Sequence, residues 1–248
     1  KLFQLEELKI RLEHEKFVIN TRTPKYISEI KKLFPKISVQ IYDHHECHAA
    51  SAFFTSPFKN ADILTIDGHG EKETCFFGYG KNKNITQIKS IDYPHSLGLF
   101  YGTFTDFLGY KADSDEWKVM ALSSFSSKNK KYDKYINKLI LKTKSGFELN
   151  LSYFDYYTFD RRKNFFSEKF IELFGQPRKP NSKILKKHYE IAGALQRKFE
   201  EIASHLLRLA KKFGKNSGNI VLAGGAAMNC VFNGNIEKLK IYKKNYIP

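Results

Sequence analysis

Two short apolar runs, Ile63-Leu64-Thr65-Ile66 and Asn219-Ile220-Val221-Leu222, lead into glycine turns, Asp67-Gly68 after the first and Gly224-Gly225 just beyond the second. Runs of this length, rich in β-branched residues and closed by glycine, read as buried strands. Before the second run lies a long stretch with helical apolar spacing, Ile184 to Phe213, ended by Gly214 to Gly218. Strands that alternate with helices define an α/β chain, and such chains gather their sites at the carboxyl ends of strands. Asp67 and the Gly224-Gly225 turn are therefore the first places to look for chemistry.

The remaining pattern fits that class. Lys1 to Leu33 predicts one or two amphipathic helices, and Ile37 to Ile41 predicts a short strand leading into Asp43-His44-His45. A helix follows, favoured from His48 to Phe54 by three alanines and stopped by Ser56-Pro57. Thr74 to Tyr79 predicts a second strand after Asp67. His95 to Leu108 predicts a helix with an aromatic face, and Lys111 to Asp115 a loop entering a helix at Glu116 to Leu122. From Ser126 to Pro180 only a helix near Tyr132 to Leu141 stands out, and a last helix is expected from Ala226. With 248 residues, 42% of them hydrophobic, the chain can bury a core as one large domain or a domain plus pieces.

Composition narrows the setting. No apolar run approaches the roughly 20 residues of a spanning helix, and Lys1 to Lys16 is neither a signal nor a transit peptide. The three cysteines, Cys47, Cys75 and Cys230, are isolated, which fits a reducing cytoplasm better than a disulfide framework. The formal charge of +16 comes from lysines spread along the chain, so we read it as composition drift rather than a nucleic-acid footprint.

Three residue groups carry candidate chemistry. His44 and His48, four apart, share one face of a helix and are close enough to hold one cation, for which imidazoles suit zinc or iron. The alternative is that they merely cap the helix. Asp67, at a strand end before Gly68-His69-Gly70-Glu71, can complete a two-histidine, one-carboxylate set, or can be an ordinary turn residue. Leu222 to Asn229, a strand followed by paired glycines and small residues, presents backbone N–H groups to an anion or nucleotide. The same residues also serve a tight packing turn, and no Walker or Rossmann fingerprint is present.

Taken in order, the blocks Asp43 to Phe53, Ile66 to Glu71, Pro94 to Tyr101, Thr105 to Tyr110, Glu116 to Met120, Ala194 to Gln196 and Leu222 to Gly234 resemble the NodU/CmcH family of O-carbamoyltransferases. The resemblance implies the family's ATP-binding domain, related to tRNA threonylcarbamoyl transferases. Its fold is the actin-like, sugar-kinase and heat-shock-protein type of ATPase, built from RNase H-like halves. It implies that another domain makes carbamoyl-adenylate from carbamoyl phosphate and ATP, the latter with magnesium, and that this one passes the carbamoyl group to a hydroxyl of a sugar or natural-product acceptor. Carried over position by position, His44, His48 and Asp67 would hold the metal, usually iron. Gly224, Gly225 and Asn229 would meet the nucleotide, with Glu116 and Lys118 near it. No general base stands out; His69 and His95 are candidates that could equally serve as structural hydrogen-bonding histidines.

The sequence departs from the family in lacking an N-terminal glycine-rich block with a histidine, a Gly-Asp-x-Gly segment after the final proline, and the carbamoyl-phosphate domain. Met120 to Phe125 also replaces a more glycine-rich stretch. We therefore expect a partial domain, 1–248, truncated at both ends and inactive alone. The alternatives are a tRNA-modifying relative, for which the charge speaks, and a non-catalytic metal- or nucleotide-binding remnant.

Overall fold

The computed structural model describes residues 2–158, 164–215 and 217–248. Its centre is a five-stranded mixed sheet of order β3-β2-β1-β6-β7. β1 (Asn60–Ile66), β2 (Glu73–Lys81) and β3 (Asn84–Asp92) form an antiparallel meander; β6 (Asn219–Ala223) and β7 (Lys244–Tyr246) extend it in parallel on the β1 side.

Alternation along β1 sorts its side chains between two cores. Ala61 and Ile63 join Phe76 and Val221 beneath α3 (His44–Thr55), packed against Ala49, Ala52 and Phe53. Leu64 and Ile66 face the opposite core, which contains α4 (Leu97–Phe107), α5 (Glu116–Ser123) and α8 (Lys186–Phe213). Helices thus cover both sheet faces, and β1 and β6 are buried beyond their first residues. In α4, Phe100, Phe104 and Phe107 recur at helical spacing and are wholly buried, each worth about 1.5–3 kcal/mol by area.

At the amino end, α1 (Leu2–Phe17), a π-helical turn (Val18–Arg22) and α2 (Thr23–Leu33) follow one another. Ile37 to Ile41, expected as a strand, has no regular structure, and Ile37 and Ile41 are exposed. Its β-branched residues lack a neighbouring strand to pair with. α3 begins at His44, so His44 and His48 lie on one helix as their spacing requires. The stretch expected as a helix near Tyr132 to Leu141 divides into α6 (Lys130–Ile136) and β4 (Ile140–Lys142), which pairs with β5 (Phe147–Leu149). α7 (Glu168–Phe174) then packs into the aromatic core. Beyond β6, the helix expected from Ala226 is only a 3-10 turn, Ala226–Met228, followed by the short α9 (Cys230–Asn233). The three cysteines are free, and no described helix is long and apolar enough to cross a membrane.

Candidate metal and nucleotide site

α3 starts where Asp43 takes an extended conformation, and the His44 N–H donates to the Glu71 carboxylate at 2.9 Å. That contact brings the first turn of α3 onto the loop after β1. One helical turn separates His44 from His48, so both rings face that loop, their Nε2 atoms 3.1 Å apart. The two Nε2 atoms lie 2.7 and 2.8 Å from Asp67 Oδ2.

These three atoms make a triangle with sides of 2.7, 2.8 and 3.1 Å. Ligand atoms bound at about 2.1 Å on adjacent octahedral corners stand about 3.0 Å apart, against about 3.4 Å at tetrahedral corners. The donor set and its spacing therefore fit one face of an octahedral divalent cation. The Asp67 carboxylate raises the His44 pKa above its ordinary value, so a cation would compete with a proton there. Burial works against ionisation of Asp67, but His44, His48 and the Gly68 N–H outweigh it and hold the carboxyl well below the usual range.

The other Asp67 oxygen looks elsewhere. Oδ1 accepts from the N–H groups of Gly68, at 2.8 Å, and Gly225, at 3.0 Å. Gly224 makes this approach possible: its φ is +96°, and a Cβ there would run into the Ile66 carbonyl. A Cβ on Gly225 would stand 2.9 Å from Asp67 Oδ1.

A cavity of about 340 Å³ opens beside this turn, lined by Asp67, Gly225, Asn229 and Glu116 among others. Burial raises the Glu116 carboxyl, while its Oε1 accepts from the Asp113 N–H at 2.8 Å. Of the residues expected to meet a nucleotide, Gly225, Asn229 and Glu116 gather here. Gly224 is packed behind the turn, and Lys118 points away, its Nζ 2.9 Å from Asp115 and lining a separate cleft with Arg178.

Tyr101, Trp117, Met120, Phe199 and Met228, not named as site residues from the sequence, give the cavity its apolar walls. All but Phe199 lie inside the blocks that carry the family resemblance, which was their one signal. His45 is buried against the Thr65 hydroxyl, and desolvation lowers its pKa to about 4. His95 accepts the Leu149 N–H at Nδ1, and neither it nor His69 lines the cavity.

Comparison with known proteins bears on this arrangement. The chain is 37% identical over 243 residues to an uncharacterized protein of Synechocystis sp., covering 94% of this chain and 38% of that protein. It is 29% identical over 194 residues to the nodulation protein NolO of Bradyrhizobium diazoefficiens, covering 78% and 33%. It is 27% identical over 209 residues to the nodulation protein NolNO of Sinorhizobium fredii, covering 84% and 28%. The chain thus spans roughly a third of the length of these relatives. The family model described as the carbamoyltransferase N-terminus matches residues 7–248, and the chain belongs to that family.

Proposed function

We propose that this chain is the carbamoyl-transferring part of an O-carbamoyltransferase. It holds carbamoyl-adenylate, formed from carbamoyl phosphate and ATP elsewhere in the whole protein, and delivers the carbamoyl group to a hydroxyl of a sugar or natural-product acceptor. The observation that carries this reading is the division of Asp67: one oxygen faces two imidazoles and the other is bound by the glycine turn at the cavity rim. A cation and a nucleotide held at these places would be neighbours.

The sheet supports the same reading. A meander of three antiparallel strands, extended in parallel on its first strand, fits an RNase H-like half of an actin-like ATPase fold.

His44, His48 and Asp67 would hold the cation, iron by preference for this donor set and zinc second. When bound, a divalent cation supplies Lewis acidity to a carbonyl or phosphoryl oxygen. Gly225, without a side chain, lets a phosphate or ribose approach the backbone. Trp117 and Met120 offer apolar surface to a base, while Glu116 and Asn229 offer polar atoms to ribose hydroxyls. Positioning of this kind turns an encounter with the acceptor hydroxyl into an oriented attack.

The test uses labelled carbamoyl phosphate, ATP and a panel of sugar and antibiotic acceptors, following pyrophosphate release and label transfer. The whole protein is expected to transfer label, and these 248 residues alone to bind adenine nucleotide without turnover. Turnover by the 248 residues alone would refute the division of labour, and carbamoyl-phosphate-independent activity on tRNA would give the case to a tRNA-modifying enzyme.

A further inference from the structure

Gln196, on α8, is almost wholly buried behind the cavity wall, and its side chain makes four hydrogen bonds. Its Oε1 accepts from the Tyr101 hydroxyl at 3.0 Å and from Asn229 Nδ2 at 2.9 Å. Its Nε2 donates to Glu200 Oε1 at 3.1 Å and to Asn229 Oδ1 at 2.9 Å. Two acceptances and two donations are all that a primary amide can make.

The network has a direction. A carboxylate only accepts, so Glu200 fixes which end of the Gln196 amide is nitrogen, whereas the Tyr101 hydroxyl adapts to whatever it meets. With Gln196 fixed, Asn229 can pair with it in one orientation only. The Phe232 N–H imposes the same choice, donating to Asn229 Oδ1 at 2.9 Å. Asn229 Oδ1 is thereby saturated, and one Nδ2 proton remains uncommitted among the described residues, on a side chain that lines the cavity with Asp67 and Gly225.

We infer that Gln196 is a positioning residue: together with Glu200 it locks the Asn229 amide so that the cavity is offered a hydrogen-bond donor, suited to a ribose hydroxyl or phosphate oxygen. This rests on the reading of Asn229 as a nucleotide contact. An asparagine held by the Phe232 N–H alone would keep its Oδ1 in place but leave its Nδ2 less firmly aimed, and ordering it on binding would cost affinity.

AMP affinity is measured by calorimetry on the full chain, with circular dichroism and thermal unfolding to check the fold. Gln196→Glu preserves shape but sets a carboxylate against Asn229 Oδ1 and Glu200. AMP affinity is expected to fall about tenfold, the size of one hydrogen bond. The deficit relative to wild type should shrink as pH falls, because a protonated introduced carboxyl regains a donor. Gln196→Met, uncharged and of similar volume, should lose affinity without that pH dependence.

In the Asn229→Ala background, Gln196→Glu should cost nothing further. Additive losses, or a pH-independent deficit that follows thermal stability, would reduce Gln196 to a packing residue and overturn the inference. Normal affinity in Asn229→Ala itself would remove the nucleotide reading of Asn229, and the inference with it. A loss there with none in either Gln196 variant would overturn the inference alone.

Discussion

β1 carries an aspartate near its start and another just past its end, and the two have opposite characters. Asp67 stands five positions after Asp62, an odd offset, so alternation sends the two to opposite faces of the sheet. Asp62 lies on the α8 side, wholly buried. It accepts the Lys215 N–H at 3.0 Å and the Tyr242 hydroxyl at 3.1 Å, and burial raises its pKa. Asp67 lies on the α3 side, where two imidazoles and the Gly68 N–H hold its carboxyl far below the ordinary value despite burial. A buried carboxylate met by one N–H and one hydroxyl closes the fold. The same group met by two imidazoles beside a cavity is arranged for a ligand.

The contrast can be broken by exchanging what each aspartate is asked to do. The largest effect is expected at the α3 end: Asp67→Ala, His44→Ala or His48→Ala should each cut the iron or zinc content of the purified protein to about a tenth or less, losing one of three ligands. Wild-type metal in all three would end the cation reading, and His45→Ala should spare the metal while lowering stability. Gly225→Val, which drives a side chain onto Asp67 Oδ1, should weaken adenine-nucleotide binding about tenfold or more in calorimetric titration. Unchanged affinity would reassign the turn to packing.

Smaller effects sharpen the comparison in stability. A Cβ on Gly98 would sit 2.7 Å from the backbone of Asp67 and Gly68, so Gly98→Ala should cost about 1–3 kcal/mol in denaturant unfolding by prying α4 from that turn. The smallest change is expected from Asp62→Asn. The folded protein holds the Asp62 proton more tightly than the unfolded chain does. The resulting contribution is full below the ordinary value of 3.8 and is lost as pH rises through the folded-state value. Asp62→Asn should flatten that slope and leave stability at neutral pH within about 1 kcal/mol of wild type. A steeper slope in the variant would mean that Asp62 is stabilising as an anion.

What the sequence made legible follows the range of the forces involved. The strand entering Asp67, the aromatic helix before Leu108 and the long helix before Gly214 are local patterns, and they stand where periodicity put them. The contact that seats the start of α3 was hidden, because Glu71, which accepts its first N–H, is distant in the chain. β3 escaped notice for a different reason. Ile85, Ile88 and Ile91 recur every third residue, a helical spacing, but a register shift opposite Phe77 and Gly78 leaves Ile88 without a Cα partner and restores the alternation of a strand. At the site, the pairing of His44 with His48 could be read from spacing, and Asp67 stood as a strand-end candidate that only the family resemblance joined to them; Gln196 could not be read at all, because a glutamine inside a helix carries no mark of the asparagine it meets 33 positions later.

The shared carboxylate also limits how this centre can be redesigned. Both oxygens of Asp67 are engaged, Oδ2 toward the imidazoles and Oδ1 by Gly68 and Gly225. Under the proposed reading, replacing it with another ligand to select a different cation would also release the glycine turn, so metal preference and nucleotide geometry could not be tuned separately at that position. His44 and His48 make no hydrogen bond to the glycine turn, and a protein engineer, or natural variation, has freer rein there.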